Sequence, residues 1–233
     1  RSTLFPYTTL FRSWLTNSKL GMGSRATMAS AQKLYQEGRI TYMRTDSVNL
    51  SSQAIAASAD YIKRLYGIEY SHVRKFKTKS AGAQEAHEAI RPTDVTRESV
   101  SGSDYDQHLY DLIRRRTLAS QMAPAKLENT TITISINDEE EQNNSNKTND
   151  KLVFEAKGQV VLFDGFLRVY GGGKDDTILP TVKSGDQLQR HSVEARQVFA
   201  RPPARYTEGT LVKKLEELGM STKIGRASCR ERV

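Results

Sequence analysis

Cysteine is almost absent from this chain, since Cys229 near the C-terminus is the only one among 233 residues. A single thiol forms no intrachain disulfide, and a cysteine-based zinc site needs several, so both are excluded within this sequence. The chain also lacks any apolar run close to the ~20 residues of a membrane span, and no secretory signal is visible. Its glycine-rich stretch, residues 171–176, lacks the spacing of a phosphate-binding loop.

The two ends of the chain resemble the translation of a sequencing adapter. Residues 3–13 and 224–233 back-translate to DNA sequences that are reverse complements over their shared length. Chance hardly produces this relation at both termini, so we expect residues 1–13 and 224–233 to be adapter-derived and non-native. The rest, which then contains no cysteine, is expected to be an internal segment of a longer gene product.

Positive charge is in modest excess. The chain has 35 Lys+Arg and 27 Asp+Glu, a net charge of +8. The two adapter-like ends hold five of these basic residues and one acidic residue, so 30 and 26 remain, a net charge of +4. This surplus is compatible with nucleic-acid binding but does not require it. About 210 remaining residues suit one or two domains.

Helical patterns dominate residues 14–124, which we predict to be a mostly helical domain. The first lies at about 25–37, the second follows a cap cluster at 49–52 and runs to about 66, and the third lies at about 104–122. They stop at Gly38, Gly67 and Pro124. Their apolar residues recur at helical spacing, which predicts a buried face on each helix. These predicted core residues are Met28, Ala31, Leu34 and Tyr35, then Ile55, Ala59, Ile62 and Tyr66, then Leu109, Ile113 and Thr117.

Residues 125–200 change to a β pattern. Residues 130–136 alternate strictly and predict a half-buried strand, and shorter strands are predicted at 152–156, 159–163, 166–170, 187–191 and 197–200. The Asn-rich stretch 137–150 is typical of a hairpin loop. A new element with an amphipathic helix begins within residues 201–223. The fold class predicted from the sequence is therefore α+β.

The stretch 39–47, Arg-Ile-Thr-Tyr-Met-Arg-Thr-Asp-Ser, is predicted to be a short strand between two helices. Its period of two places Ile40, Tyr42 and Arg44 on one face and Thr41, Met43 and Thr45 on the other. A tyrosine beside a guanidinium can act as the nucleophile of a phosphoryl transfer, because the arginine can pair with non-bridging phosphate oxygens. Taken alone, the pattern favours a half-buried strand with a packed tyrosine over a catalytic site.

Three charged stretches leave alternatives open. The basic stretch 72–79 could follow a phosphate backbone through Lys75 and Lys77, with Phe76 available for stacking, or it could be a solvated loop. The run Arg114-Arg115-Arg116 wraps around the third helix and is interpreted as a solvated face in preference to a phosphate contact. The acidic run 138–141 is interpreted as solvated rather than metal-binding.

Residues 40–47 closely resemble the active-site segment of the bacterial members of the type IA DNA topoisomerase family. Residues 83–93, Ala-Gln-Glu-Ala-His-Glu-Ala-Ile-Arg-Pro-Thr, resemble a second signature of that family. Further blocks follow in family order at residues 121–125, 163–166, 178–180 and 202–208. The resemblance covers essentially residues 19–219.

The resemblance implies a role for each matching residue. Tyr42 would be the nucleophile that holds a 5′-phosphate as a phosphotyrosine, and Arg44 would position the scissile phosphate. Asp46 and His87 would belong to the hydrogen-bonded network beside the tyrosine. Apart from these roles, we expect the basic side chains of Arg91, Lys75 and Lys77, together with Arg44, to contact DNA.

At the level of the whole molecule, the resemblance implies a segment of a four-domain torus. Residues 14–124 would be the tyrosine domain, 125–200 the arch, and 201–223 the start of the returning base. The enzyme would be a cytoplasmic monomer that relaxes negatively supercoiled DNA without ATP through a single-stranded segment. It would use Mg²⁺ bound by an acidic domain absent from this segment, so we expect the segment alone to be inactive.

Other functions remain possible at the level of sequence. A tyrosine recombinase or type IB enzyme uses a His-x-x-Arg unit upstream of its tyrosine, whereas here Tyr42 comes first and the spacing is His87-x-x-x-Arg91. A DNA-binding module without catalysis is the alternative from a different class. The subfamily, relaxing or decatenating, depends on domains that this sequence does not contain.

Overall fold

A computed structural model of the chain describes residues 20–45, 47–76, 88–135, 153–172, 176–192 and 194–207, with 210, 211, 214 and 218. The chain forms two compact units, Arg1–Ala123 with Arg201–Val233, and Pro124–Ala200. Helices and a two-stranded sheet confirm the α+β class. The assignment of residues 14–124, 125–200 and 201–223 to tyrosine, arch and base domains stays a prediction.

Three α-helices of the first unit are described over their whole length. They are α1 (Ser24–Gln36), α2 (Ser52–Tyr66) and α3 (Asp104–Ser120), and a short 3₁₀ helix, Ile68–Tyr70, follows α2. All three were predicted within a few residues at each end. In α2 the side chains of Ile55, Ala59 and Ile62 are buried as expected. None of these described helices is long and apolar enough to cross a membrane.

Helix α1 ends in a turn that directs the chain into the stretch 39–47. Gly38 has a φ of 66°, in the left-handed region that glycine adopts without steric cost. Its N–H donates to the Tyr35 carbonyl at 2.9 Å, and the Arg39 N–H donates to the Leu34 carbonyl at 2.8 Å. These two bonds satisfy carbonyls at the helix end and fix the direction in which the chain leaves it.

Helix α3 is capped by a reciprocal pair and tied to α1. The Ser103 hydroxyl accepts from the Asp106 N–H, and the Asp106 carboxylate accepts from the Ser103 N–H. The same buried carboxylate accepts from Lys33 Nζ at 2.8 Å. Burial opposes ionisation of Asp106, but hydrogen bonds from Lys33, Ser103 and Ser30 outweigh it and lower its pKa to about 2. Asp106 therefore stays charged and holds the two helices together.

The arginine run on α3 is not a solvated face, so that interpretation was wrong. Arg114 and Arg116 are 8% and 7% exposed. The Arg114 guanidinium donates to the Val95 carbonyl and to the Tyr61 hydroxyl. Only Arg115 follows the expectation, in a surface pair with Asp111. Arg114 can be buried because its guanidinium has hydrogen-bond acceptors on a neighbouring loop and helix. The periodicity of α3 does not reveal these acceptors.

The second unit is built on one antiparallel hairpin, β1 (Lys126–Ser135) and β2 (Val153–Phe163). The predicted break at Gly158 is absent, because β2 continues through it. A Cβ at Gly158 would lie 2.6 Å from the Thr177 carbonyl oxygen, so glycine is needed where residue 177 bridges to Gln159. The predicted loop 137–150 lies outside the described residues. Within β1, the half-buried Ile132 and Ile134 alternate with exposed side chains as predicted, whereas residues 126–131 are all exposed.

Three predicted strands in the second unit were wrong. Residues 166–170 lie in a 3₁₀ helix, Gly165–Tyr170, instead of pairing back on β2. Gly165 adopts a φ of 49°, and the Leu167 N–H donates to the Asp164 carbonyl, which turns the chain helically. Residues 187–191 and 197–200 form no strand. Alternation alone predicted these strands, but a strand also needs a partner to receive its backbone hydrogen bonds.

Candidate active site

The stretch 39–45 is not a strand, which corrects the sequence prediction. Ile40 forms a single antiparallel bridge with Pro92, and the backbone that follows is irregular. Ile40 and Met43 are both buried, whereas Tyr42 is 44% exposed and Arg44 is also exposed. Ile40 therefore does not share a face with Tyr42, because the Ile40 side chain is buried in the hydrophobic core.

That core anchors the stretch on both sides of Tyr42. Ile40 and Met43 belong to one cluster with apolar side chains from α1, α3 and residue 90. The other members of the cluster are Ala31, Leu34, Ile90, Leu109, Tyr110 and Ile113. Burying large apolar side chains contributes roughly 1.5–3 kcal/mol each, so two such anchors hold the exposed Tyr42 between them.

The second signature block is hydrogen-bonded directly to the first, although about fifty residues separate them. The Thr41 N–H donates to the Arg91 carbonyl at 2.9 Å, and the Thr93 N–H donates to the Arg39 carbonyl at 3.0 Å. The Thr41 hydroxyl donates to the Ala89 carbonyl at 2.8 Å and accepts from the Arg91 N–H at 2.9 Å. The fold thus brings the two motifs found in the sequence into one site.

Glu88 and Arg91 form a rigid pair beside this junction. Arg91 Nε and Nη2 donate to the two Glu88 carboxylate oxygens at 2.7 and 3.0 Å, and Nη1 donates to the Pro92 carbonyl. The Ser51 N–H at the start of α2 also donates to Glu88. Burial opposes ionisation of Glu88, but the bonds from Arg91 and Ser51 lower its pKa. Sequence reasoning singled out Arg91 only for DNA contact and missed that it braces the site.

The side chains of Tyr42 and Arg44 face the solvent. Neither makes a hydrogen bond or an ion pair with another residue in the described ranges. The Tyr42 ring packs edge-on against the Tyr35 ring, with centroids 5.3 Å apart and planes at 66°. Tyr35 was predicted to be core, but it is 42% exposed. Tyr35 is next to the buried Leu34 in the sequence. At the edge of the buried helix face, the helical repeat alone does not distinguish a buried side chain from an exposed one.

Three predicted site residues, Asp46, His87 and Lys77, lie outside the described residues. Lys75 is exposed, on a segment attached to the end of α3. There the N–H groups of His72 and Arg74 donate to the main-chain and side-chain oxygens of the buried Gln121. Part of the basic stretch is therefore held on the helical unit rather than forming an unattached loop.

No group of three or more His, Cys, Asp or Glu side chains converges among the residues that the structure describes. The acidic run 138–141 is outside them. The described part of the chain therefore presents no donor set that fits a divalent metal ion.

A family model described as DNA topoisomerase matches residues 1–233. The chain belongs to the DNA topoisomerase family. It is 43% identical over 236 residues to DNA topoisomerase 1 of Zymomonas mobilis, covering 96% of this chain and 18% of that protein. It is 42% identical to the prokaryotic-type DNA topoisomerase 1 of Acanthamoeba polyphaga mimivirus, covering 98% and 27%. The family resemblance found in the sequence is confirmed.

The solved structure of full-length topoisomerase I from Thermotoga maritima matches with a TM-score of 0.73 and 31% identity. The match covers 93% of this chain and 35% of that one. The topoisomerase segment therefore spans about a fifth to a third of the length of these relatives. The family match runs through both ends of the chain, and the adapter origin of residues 1–13 and 224–233 stays a prediction.

Replacing Thr41 by valine in the topoisomerase segment is expected to loosen the junction of the two signature blocks. Valine keeps the shape but removes the hydroxyl that bonds to Ala89 and Arg91. We expect a loss of about 1–2 kcal/mol in the free energy of unfolding, measured by urea denaturation with far-ultraviolet circular dichroism. Thr41→Ser keeps the hydroxyl and should lose clearly less, and equal losses for both variants would contradict the assigned role.

Proposed function

We propose that the protein carrying this segment is a type IA DNA topoisomerase that relaxes negatively supercoiled DNA without ATP. One observation carries the proposal. The exposed Tyr42 stands between two core anchors, the exposed Arg44 lies two residues further on, and the neighbouring Thr41 is hydrogen-bonded to the second family signature.

The reaction is an ester exchange at phosphorus. The Tyr42 oxygen attacks a backbone phosphate, the new bond joins the tyrosine to the 5′-phosphate, and the bond to the 3′-oxygen breaks. The hydroxyl proton leaves Tyr42 and the 3′-oxygen takes one up. The reverse attack by the 3′-hydroxyl restores the strand, and because one phosphate ester replaces another, resealing needs no ATP.

Arg44 would act on both partners of this exchange. A neutral phenol is a weak nucleophile, and a positive charge close to its oxygen favours the ionised form. A guanidinium also pairs with non-bridging phosphate oxygens in a fixed geometry. The exposure of Arg44, with no ion-pair partner in the described ranges, leaves it available for both tasks.

The remaining site assignments follow the same proposal. Asp46 and His87 complete the hydrogen-bonded network around the tyrosine, and Lys75 and Lys77 contact the DNA backbone. Arg91 would contribute to DNA binding through the guanidinium N–H groups that its bonds to Glu88 and Pro92 do not use, because the Glu88 carboxylate offsets its charge.

The complete enzyme, we propose, is a cytoplasmic monomer folded as a torus that grips a single-stranded segment of underwound DNA. Mg²⁺ would be bound by an acidic domain outside this segment, where it would stabilise charge on the phosphates. The described residues offer no such site. We therefore expect the isolated 233-residue chain to leave the linking number of supercoiled plasmid unchanged in the presence of Mg²⁺.

The polarity of the covalent link tests this function. Residues 20–207 replace the aligned segment of the Zymomonas mobilis relative, and the chimera is incubated with end-labelled single-stranded DNA and quenched with detergent. A type IA enzyme retains the label of 3′-labelled DNA on the protein, because it holds the 5′-phosphate. A type IB enzyme or tyrosine recombinase would retain a 5′ label instead, and a DNA-binding module would retain neither.

A further inference from the structure

Tyr35 and Tyr42 form an aromatic pair at the surface of the first unit. Their ring centroids are 5.3 Å apart, their planes meet at 66°, and both side chains are more than two-fifths exposed. Tyr35 is in the last turn of α1, one residue before the helix ends at Gln36. Because α1 is tied to α3 through Lys33 and Asp106, this ring stands on a rigid support.

Tyr42 has few other restraints. Neither its backbone nor its hydroxyl makes a hydrogen bond within the described ranges, although the neighbouring Arg39 and Thr41 are both bonded through their backbones. A half-exposed tyrosine whose hydroxyl makes no hydrogen bond can change its side-chain rotamer on a short timescale. Each rotamer change moves the hydroxyl by several ångströms, whereas in-line attack needs it about 3–3.5 Å from phosphorus.

We propose that Tyr35 is a positioning residue that holds the Tyr42 ring in the orientation from which its hydroxyl attacks DNA. This inference rests on the proposed function of Tyr42. Edge-on aromatic pairs are favourable beyond the area they bury, and Tyr35 reaches its partner from a helix rather than from a loop. Its own hydroxyl is not needed, because the contact is between rings.

The proposal predicts a slower cleavage step without weaker DNA binding. In the chimera that carries residues 20–207, Tyr35→Leu should lower the single-turnover cleavage rate by about 2- to 10-fold, the range expected for loss of one aromatic pair. The dissociation constant for a single-stranded oligonucleotide should stay unchanged. Tyr35→Phe keeps the ring and should retain most of the rate.

A matched control separates this effect from a general response to losing a tyrosine. Tyr105 is 58% exposed in the first turn of α3, so Tyr105→Leu should change neither rate nor affinity. If Tyr35→Leu weakened DNA binding and left the cleavage rate of the bound complex intact, Tyr35 would be a base-stacking surface and the proposal would be overturned. Full cleavage by Tyr35→Leu, together with none by Tyr42→Phe, would reject the positioning role alone and leave the proposed function standing.

A second measurement needs no activity. In the 233-residue chain with ring-labelled tyrosine, the NMR signals of the Tyr42 ring should shift towards a rotamer-averaged position in Tyr35→Leu and stay close to wild type in Tyr35→Phe. Tyr42 signals that do not respond to Tyr35→Leu would overturn the proposal even if the chimera were inactive.

Discussion

Tyr42→Phe should lower strand cleavage by at least about a thousandfold in the chimera that carries this segment, because phenylalanine has no oxygen to form the ester. DNA affinity should persist, since Arg44 and the basic side chains are unchanged. Both quantities are measured with one end-labelled oligonucleotide, cleavage from the covalent adduct after detergent and affinity by equilibrium binding. The fold should also persist, because Tyr42 is half-exposed and its hydroxyl makes no bond within the described ranges.

Tyr105→Phe is the matched control, since it removes a hydroxyl from an exposed tyrosine on α3. It should cleave at the wild-type rate. A Tyr42→Phe variant that still formed the adduct would show that another residue is the nucleophile. Loss of cleavage and affinity together would instead favour a role of Tyr42 in gripping DNA, which is the expectation for a binding module.

Arg114→Met should destabilise the first unit by about 2–4 kcal/mol, although the sequence places Arg114 within an apparently solvated run. Its Nε donates to the Val95 carbonyl at 3.0 Å, and its Nη2 donates to the Tyr61 hydroxyl at 2.7 Å. The guanidinium carbon also lies 5.3 Å from the centre of the Tyr61 ring. Methionine fills much of the volume but leaves this carbonyl and hydroxyl with fewer partners.

The adjacent Arg115 offers a control on the same helix turn. Its partner Asp111 lies one turn away, and both side chains are substantially exposed. Surface pairs of this kind contribute little, so Arg115→Met should cost about 0.5 kcal/mol or less. Urea denaturation followed by far-ultraviolet circular dichroism compares the two. Equal losses would mean that the Arg114 network does not stabilise the fold.

Helix boundaries in the first unit were predictable because their signals are local. A glycine stop such as Gly38, a serine cap such as Ser51 and a helical apolar period each act within a few residues. The strands predicted at 166–170, 187–191 and 197–200 failed for the opposite reason. A strand exists only where another segment receives its hydrogen bonds, and the sequence of one segment does not supply that partner.

Some residues of the candidate site could be identified from the sequence, and others only from the structure. Tyr42, Arg44 and the block 83–93 could be identified because their residue types and order are written in the chain. The bracing residues Thr41, Tyr35 and Glu88 could not, because each acts through a contact made across the fold.

The sequence by itself determined the family, the α+β class, the helical segments and the tyrosine nominated as nucleophile. Tertiary structure alone decided that stretch 39–45 is irregular backbone between two core anchors, that Arg114 is buried, and that Tyr35 stands against Tyr42. The physical reason is the range of the interactions. Capping, helical periodicity and motif order are local properties, whereas burial and hydrogen-bond satisfaction depend on which distant segments the folded chain brings together.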